Sequence, residues 1–320
     1  MARKRSTSQV RLVTEDTDMT CEEMAIEYLQ VKERQGLSPY SIRHEESNIR
    51  TILKKLPLGM KLSTLNPNLL ENVFDQFRAV GQHPNTINDK RKTLIRMLDL
   101  AVKQDYLRTN PALGVLKMKG VVPAIPSLSQ LQIRALLLAP KVETFAGYRD
   151  KVLIELMLDT GIRLREALEL VVSQIDFKDR RLRAVKGKNG KLEDIPLSLP
   201  LCKELSNYLK ERDHTVAEQV FVNVDGGPLN RRTFQIRLKE YGQKAGIQDV
   251  RVSPHTLRHT FAKQWILNGG DIFSLQRILR HSTMDMVRRY VFLWGTEIQQ
   301  QHDKYSPMAR VFGNRGGLRA

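Results

Sequence analysis

Apolar residues return at the three-to-four-residue spacing of a helix through most of this chain, and the gaps between runs carry start and stop signals. The first run, CEEMAIEYLQVKERQ, follows Thr20 with Glu23 three residues on, the arrangement of a capping box, and closes at Gly36. Ser38-Pro39 opens a second run to about Lys55, with Pro57 beyond it. Asn66-Pro67 opens a third that ends before Gly81, and the segment from Pro84 to about Tyr106 makes a fourth. Residues 20–106 are therefore predicted to form a compact domain of about four helices, with no strand signal, behind a polar, flexible arm at 1–19.

The pattern then changes. Residues 107–128, LRTNPALGVLKMKGVVPAIPSL, hold three prolines and two glycines among scattered apolar residues and read as an extended linker. A second domain begins near Ser129. SQLQIRALLLA, FAGYRDKVLIELMLDT up to Gly161, and RLREALELVV are predicted helices. Arg183–Lys186 and Leu192–Pro196 read as two strands around Asn189-Gly190, the preferred two-residue hairpin turn. Helices resume at about Leu199–Arg212 and Arg231–Ala245, and three short ones follow from Ser253 to Leu293. The fold class is thus mainly α with a small β-hairpin or sheet.

Charge narrows the class of partner. The formal net charge is +17 and the pI about 9.9. Lys and Arg exceed Asp and Glu by 5 in residues 20–120 and by 11 in residues 121–320, so the excess is spread over both domains. That distribution suits a protein gripping a polyanion with both halves. Cys21 and Cys202, the only cysteines, cannot build a disulfide framework or a cysteine-based zinc site. The basic start MARKRS lacks a following apolar stretch, and no apolar run approaches the ~18 residues of a transmembrane helix. The expected location is the cytoplasm, with no membrane partner.

The densest chemistry lies in SPHTLRHTFAKQWILNGGDIFSLQRILRHSTMDMVRRYVFL. Ser253 and Pro254 suit an N-cap and first helical position, and His255, Arg258 and His259 then fall at i, i+3 and i+4 on one face. Gly269-Gly270 stops that helix, a second ends near Arg280-His281, and Ser282-Thr283 starts a third that carries Tyr290. Arginine grips phosphate oxygens, histidine donates or moves a proton near neutral pH, and tyrosine forms covalent intermediates. By itself such a helix is more often a polar face, and one tyrosine of eight is more often a core residue.

Three further sites join it. Arg163 follows the helix-breaking Gly161, and Glu166, three residues on, is placed to orient it. The hairpin tip carries Lys186, Lys188 and Lys191, and spacing alone does not say which of them reaches a leaving oxygen. His281 stands nine residues before Tyr290. In the first domain, Lys90, Arg91, Lys92 and Arg96 give the fourth helix a basic character, read functionally as phosphate-backbone contact, although a solvated face is the commoner meaning of such a run.

Taken in order, the Arg–Glu pair, the lysine, His-x-x-Arg, the later histidine and the tyrosine closely resemble the tyrosine recombinase (phage integrase) family. Thr160–Glu166 with Leu170 match its first arginine box, and Ser253–Phe261 its His-x-x-Arg box. Lys188 matches its hairpin lysine when counted back from Ile195-Pro196, and His281 with Tyr290 match its last histidine and nucleophile. Residues 20–106 are similar to the family's SAM-like core-binding domain, and 129–293 to its mixed α/β catalytic domain; the layout looks like the two-domain Xer type. Departures stand at Arg280, where glycine is common, and at Met284, Asp285 and Met286 before the tyrosine.

The resemblance implies a site-specific recombinase that acts without metal or nucleotide cofactor. Tyr290 would attack a backbone phosphate to give a 3′-phosphotyrosine, Arg163 and Arg258 would clamp the phosphate, and His255 would accept the phenolic proton or hold the phosphate. Lys188 would protonate the leaving 5′-oxygen, His281 would donate to the phosphate, and Glu166 and His259 would support. Implied partners are double-stranded DNA at a core site, three further copies in a homotetramer contacted through the tail 294–320, and an excisionase or DNA-bending accessory protein. The use would be integration and excision of a mobile element or prophage, or dimer resolution. A type IB topoisomerase is the nearest alternative and a silent DNA-binding accessory protein the next.

Overall fold

A computed structural model describes residues 19–120, 125–187, 191–212 and 217–280, together with positions 290, 302, 306 and 307. The chain divides into two compact units, Met1–Pro123 and Ala124–Ala320. The first half of the arm-to-tail plan thus has its own core, and so has the second.

The first unit is built on four helices: α1 (Cys21–Arg34), α2 (Pro39–Leu53), α3 (Pro67–Ala79) and α4 (Pro84–Lys103). Their starts follow the local chemistry. The Glu23 amide donates to Thr20 Oγ1 at 3.2 Å, and the Thr20 amide donates to Glu23 Oε2 at 2.8 Å, which satisfies two amides a helix start would otherwise leave open. Ser38 and Asn66 cap the next two helices, each with proline at the first helical position. Met24, Tyr28, Ile49, Ile52, Phe74, Phe77, Leu94 and Leu98 fill the core.

Part of the expected linker belongs to this unit. Pro111–Gly114 form a 3-10 turn, and Ala112 and Val115 are fully buried. Side chains of the helices satisfy the backbone there: the Leu116 amide donates to Glu71 Oε2 (2.7 Å), and Asn88 pairs with both the amide and carbonyl of Met118 (3.0 and 2.9 Å). A proline-rich stretch can pack without regular structure once its polar groups are met this way.

The second unit holds α5 (Gln130–Leu138), α6 (Phe145–Thr160) and α7 (Leu164–Glu169), then an antiparallel sheet of β1 (Ile175–Asp176), β2 (Arg181–Lys186) and β3 (Leu192–Pro196) in that order. The helices α8 (Leu199–Glu211), α9 (Arg231–Lys244), α10 (Pro254–Leu267) and α11 (Ile272–Leu279) follow. The observed mainly helical architecture with a small sheet is the predicted class. β1 escaped the sequence reading because two residues carry no periodicity. α7 is shorter than RLREALELVV suggests, because Leu170 and Val171 turn extended and pair with residues 218–220 instead: the Val220 amide donates to Leu170 O at 2.7 Å. Between Leu182 and Val185 the ladder bulges, with Ala184 at φ 50°.

α6 runs through the core, with Val152, Leu153, Ile154, Leu156 and Met157 all fully buried. Its start is held by charge. Asp150, also fully buried, accepts from Arg149 (2.7 and 2.9 Å), from Tyr241 Oη (2.8 Å) and from Arg237. Such a network keeps a buried carboxylate paired rather than stranded. At the other end Gly161 adopts φ 62°. A Cβ there would lie 2.5 Å from Phe261 Cδ1 and 2.6 Å from Leu279 Cδ2, so the ends of α6 and α11 and the middle of α10 meet closely only around glycine.

Candidate active site

The close approach at Gly161 puts the first turn of α10 beside the loop between α6 and α7. The Ser253 hydroxyl accepts from the Thr256 amide at 3.2 Å, and Pro254 occupies the first helical position, as the sequence suggests. From this turn the Arg258 side chain runs inward, leaving the residue 5 % exposed. Nη1 donates to the carbonyl of Gly161 and Nη2 to that of Leu279. Both carbonyls sit at helix C-termini, where the backbone dipoles favour a cation. Burial, followed by the nearby Arg163, pushes the Arg258 guanidinium down to about 9, while Glu166 and Tyr290 oppose the shift. It stays charged at neutral pH.

Arg163 caps α7. Its amide donates to Glu166 Oε2 at 3.0 Å, and its Nη1 to Glu166 Oε1 at 2.9 Å. Glu166 is thereby the orienting carboxylate that the i, i+3 spacing suggests. The Arg163 side chain keeps 30 % of its surface, against 6 % for Glu166, so one edge of the guanidinium stays open.

His255 is exposed at the start of α10. Partial desolvation, then the charges of Arg258, Arg231 and Arg163, hold its imidazole below the ordinary 6.5. It is therefore neutral at pH 7. As pH falls the unfolded chain takes up this proton first, so stability declines from about pH 6.5 down through the folded value. In an NMR titration His255 should give a midpoint below 6.5, and Arg231→Gln, which removes one of the opposing charges, should move that midpoint upward. An unmoved midpoint would show that the Arg231 charge does not act on this imidazole.

Tyr290 is fully buried against Phe261, Ala262, Ile266, Leu275 and Leu279. Its hydroxyl lies 2.7 Å from His259 Nδ1, with the rings edge to face at 5.7 Å between centroids. The imidazole in contact with the phenol is thus His259, the residue expected in support, while His255 was expected to accept the phenolic proton or hold the phosphate. Spacing placed both on one helix face, but His259 lies one turn deeper, toward the apolar cluster that encloses the tyrosine. The other buried tyrosines serve the cores: burial pushes Tyr28, Tyr208 and Tyr241 up to about 12, and Tyr28 donates to Glu45 and Tyr241 to Asp150.

Arg280 is the member that spacing missed. It caps α11 and turns its side chain to Glu166, whose Oε2 it shares with the Arg163 amide, and to the Val185 carbonyl of β2 at 3.4 Å. The signal was present as the departure from glycine at this position, but a contact 114 residues away in sequence has no local trace.

Lys188 and His281 lie outside the described residues, as do the Asn189-Gly190 turn, the segment from Ser282 up to Tyr290, and nearly all of 294–320. Lys186 and Lys191, which flank the hairpin tip, are exposed. Among the described residues no group of three His, Cys, Asp or Glu side chains is placed to hold a metal, and no helix is long and apolar enough to cross a membrane.

The basic run on α4 does not form one exposed face. Lys90 is buried, with its ammonium 5.5 Å from the Phe77 ring centroid. Arg91 donates to the carbonyls of Val115 (2.7 Å) and Leu113 (3.4 Å), and Arg96 pairs with Glu45 at 2.5 Å. Only Lys92 of the four stands exposed without a partner. Consecutive residues on a helix point about 100° apart, so a run of three cannot form one face.

Comparison with known proteins gives one answer. A family model described as the phage integrase family matches residues 126–293. The tyrosine recombinase XerC of Histophilus somni (strain 2336) is 28% identical over 287 residues, which cover 88% of this chain and 96% of that protein. Among solved structures, the integrase of the Tn1549 transposon in complex with transposon right-end DNA has a TM-score of 0.74 at 16% identity, covering 90% of this chain and 100% of that one. A lambda integrase tetramer bound to a Holliday junction has the same score at 18% identity, covering 88% and 80%. The two structures share the fold.

Proposed function

The chain belongs to the phage integrase family, and from that premise we propose that it breaks and rejoins duplex DNA at a specific core site through a covalent bond to Tyr290. It is a tyrosine-type site-specific DNA recombinase. The observation that carries the residue assignment is the 2.7 Å contact between the Tyr290 hydroxyl and His259 Nδ1, with the Arg258 charge near enough to act on the phenol.

The steps follow from the chemistry of these groups. The Tyr290 oxygen attacks the scissile phosphorus as its proton passes to an imidazole, with His259 nearest. The bond to the 5′-oxygen breaks, leaving a 3′-phosphotyrosine and a 5′-hydroxyl. Arg163 and Arg258 meet the non-bridging oxygens, where charge grows in the transition state. Lys188 supplies the proton to the leaving oxygen, and His281 and His255 donate to the phosphate. A 5′-hydroxyl from a second strand reverses the step. The phosphodiester energy is kept in the phosphotyrosine, so no nucleotide is consumed. Tyr290 is fully buried, so attack requires its hydroxyl to become accessible to the phosphate.

The XerC relative and the two integrase structures support recombination over strand relaxation of the topoisomerase kind. The lambda integrase tetramer on a Holliday junction supports a homotetramer on DNA here, with 294–320 as the segment passed to a neighbour. The Tn1549 integrase on transposon-end DNA supports service to a mobile element. A cytoplasmic location and an excisionase or DNA-bending accessory protein as helper complete the proposal, with dimer resolution as the other use.

The direct test uses a nicked duplex carrying the sequence that the full chain enriches from a random duplex pool. Loss of the short strand past the nick traps the covalent stage. A protein–DNA adduct stable to detergent, removed by protease and formed equally in EDTA is expected. An adduct that EDTA abolishes would point to a metal-dependent covalent mechanism instead, and cleavage without any adduct to a metal nuclease.

A further inference from the structure

Arg280 combines two unfavourable features, offset among the described residues by its ion pair with Glu166 and its hydrogen bond to the Val185 carbonyl. Its backbone stands at φ 53°, ψ 48°, the left-handed region that side-chain-bearing residues rarely adopt. Its side chain is nevertheless turned inward and only 4 % exposed, with Nε buried and without a hydrogen-bond partner. Glycine would hold the same turn without strain, and a surface arginine would keep its charge in water. An outlier held in place like this directs attention to function.

What the side chain touches says which function. Glu166 is the single carboxylate ion-paired to both Arg163 and Arg280, and it is buried. Its Oε1 holds the Arg163 guanidinium, while its Oε2 takes Arg280 and the Arg163 amide. With Arg258 beside them, three guanidiniums share one carboxylate within bonding reach, a surplus of two positive charges that, among the described residues, the exposed Glu193 opposes from longer range. Without Arg280 the Arg163–Glu166 pair would be neutral and Arg258 alone would be in surplus. A phosphodiester carries one negative charge, and its five-coordinate transition state carries two.

We propose that Arg280 is a positioning residue for strand cleavage: it neutralises Glu166, so that Glu166 still orients Arg163 but no longer cancels the charge that Arg163 brings to the scissile phosphate. This rests on the reading of Arg163 and Arg258 as the phosphate clamp. Arg280 itself touches no substrate. Its guanidinium acts through the carboxylate, and its hydrogen bond to the Val185 carbonyl keeps it on the hairpin side of that carboxylate.

The test compares two forms of the nicked duplex, one with a natural phosphate at the scissile position and one with a methylphosphonate, which removes one negative charge. On the natural phosphate, Arg280→Gly should slow adduct formation at saturating DNA by about 30-fold or more, with DNA affinity within about 3-fold. Arg280→Lys should return to within about 5-fold of the parent, because it restores the charge. On the methylphosphonate the penalty of Arg280→Gly should shrink to about 5-fold or less, because less charge then needs to be offset. Arg280→Gln, which can still donate to Glu166, should repeat the glycine pattern, and it decides the matter if the glycine variant melts early. Equal losses on both linkages, a loss confined to affinity, or cleavage at the parental rate would each overturn the proposal. If the parent itself forms no adduct through Tyr290, the underlying reading fails first; a parental adduct indifferent to Arg280 removes only the proposal.

Discussion

Tyr290→Phe should abolish covalent capture of DNA while leaving DNA binding intact. The change removes one oxygen from a side chain that is fully buried against Phe261, Leu275 and Leu279, so the apolar contacts that hold the ring survive. The lost group is the one in contact with His259 Nδ1. Leaving that imidazole nitrogen without the phenol costs on the order of 1–2 kcal/mol of stability. The effect on chemistry is of another order, because Tyr290 alone among the described tyrosines meets His259: Tyr28, Tyr148 and Tyr241 are tied to carboxylates, Tyr208 is buried in a core, and Tyr40 and Tyr106 are exposed in the first unit. On the nicked duplex the variant should give no adduct above background, with an unchanged mobility shift. An adduct of parental yield would remove Tyr290 from its role and return attention to tyrosines such as Tyr305.

Arg258→Lys should be the second most damaging change. The arginine does two things at once: it satisfies the carbonyls of Gly161 and Leu279, and it holds a positive charge beside Arg163 and Tyr290. Lysine keeps a charge but presents a single point donor, so it cannot bridge two carbonyls at the ends of different helices and still face a phosphate. A fall of about 10²–10³ in the single-turnover rate of adduct formation is expected, the size seen when one preorganised donor to a transition-state oxyanion is lost. Stability should fall by about 1–3 kcal/mol as a buried carbonyl loses its partner, measured by denaturant unfolding. A variant that melts like the parent and cleaves within about 3-fold of it would show that Arg258 is not the clamp proposed from this geometry.

The two substitutions bear on different parts of what the sequence made legible. Helix starts were plain because they depend on neighbours three residues apart: Thr20 with Glu23, Ser38-Pro39, Asn66-Pro67, Ser253-Pro254. The ordered set of Arg163, Glu166, His255, Arg258 and Tyr290 was legible for the same reason, since each piece is a short-range spacing and only their order along the chain had to be matched. The pairing of the basic run on α4 was not legible, because residue type says nothing about where a long cationic side chain finds its partner: Phe77 for Lys90, Glu45 for Arg96 and a turn 20 to 25 residues on for Arg91. Nor was the packing of the linker, since proline and glycine signal irregular backbone, not whether it packs.

Sequence alone determined the fold class, the helix boundaries to within a few residues, the basic character and the family, because these rest on local periodicity, capping and order. Tertiary structure decided which imidazole meets the phenol, how Arg258 ties α6 to α11, and that Arg280 shares Glu166 with Arg163. Those contacts join residues 21 to 114 positions apart. A hydrogen bond is satisfied only where the folded backbone brings donor and acceptor within about 3 Å, and for groups so distant in sequence that placement is settled by how the helices pack around Gly161.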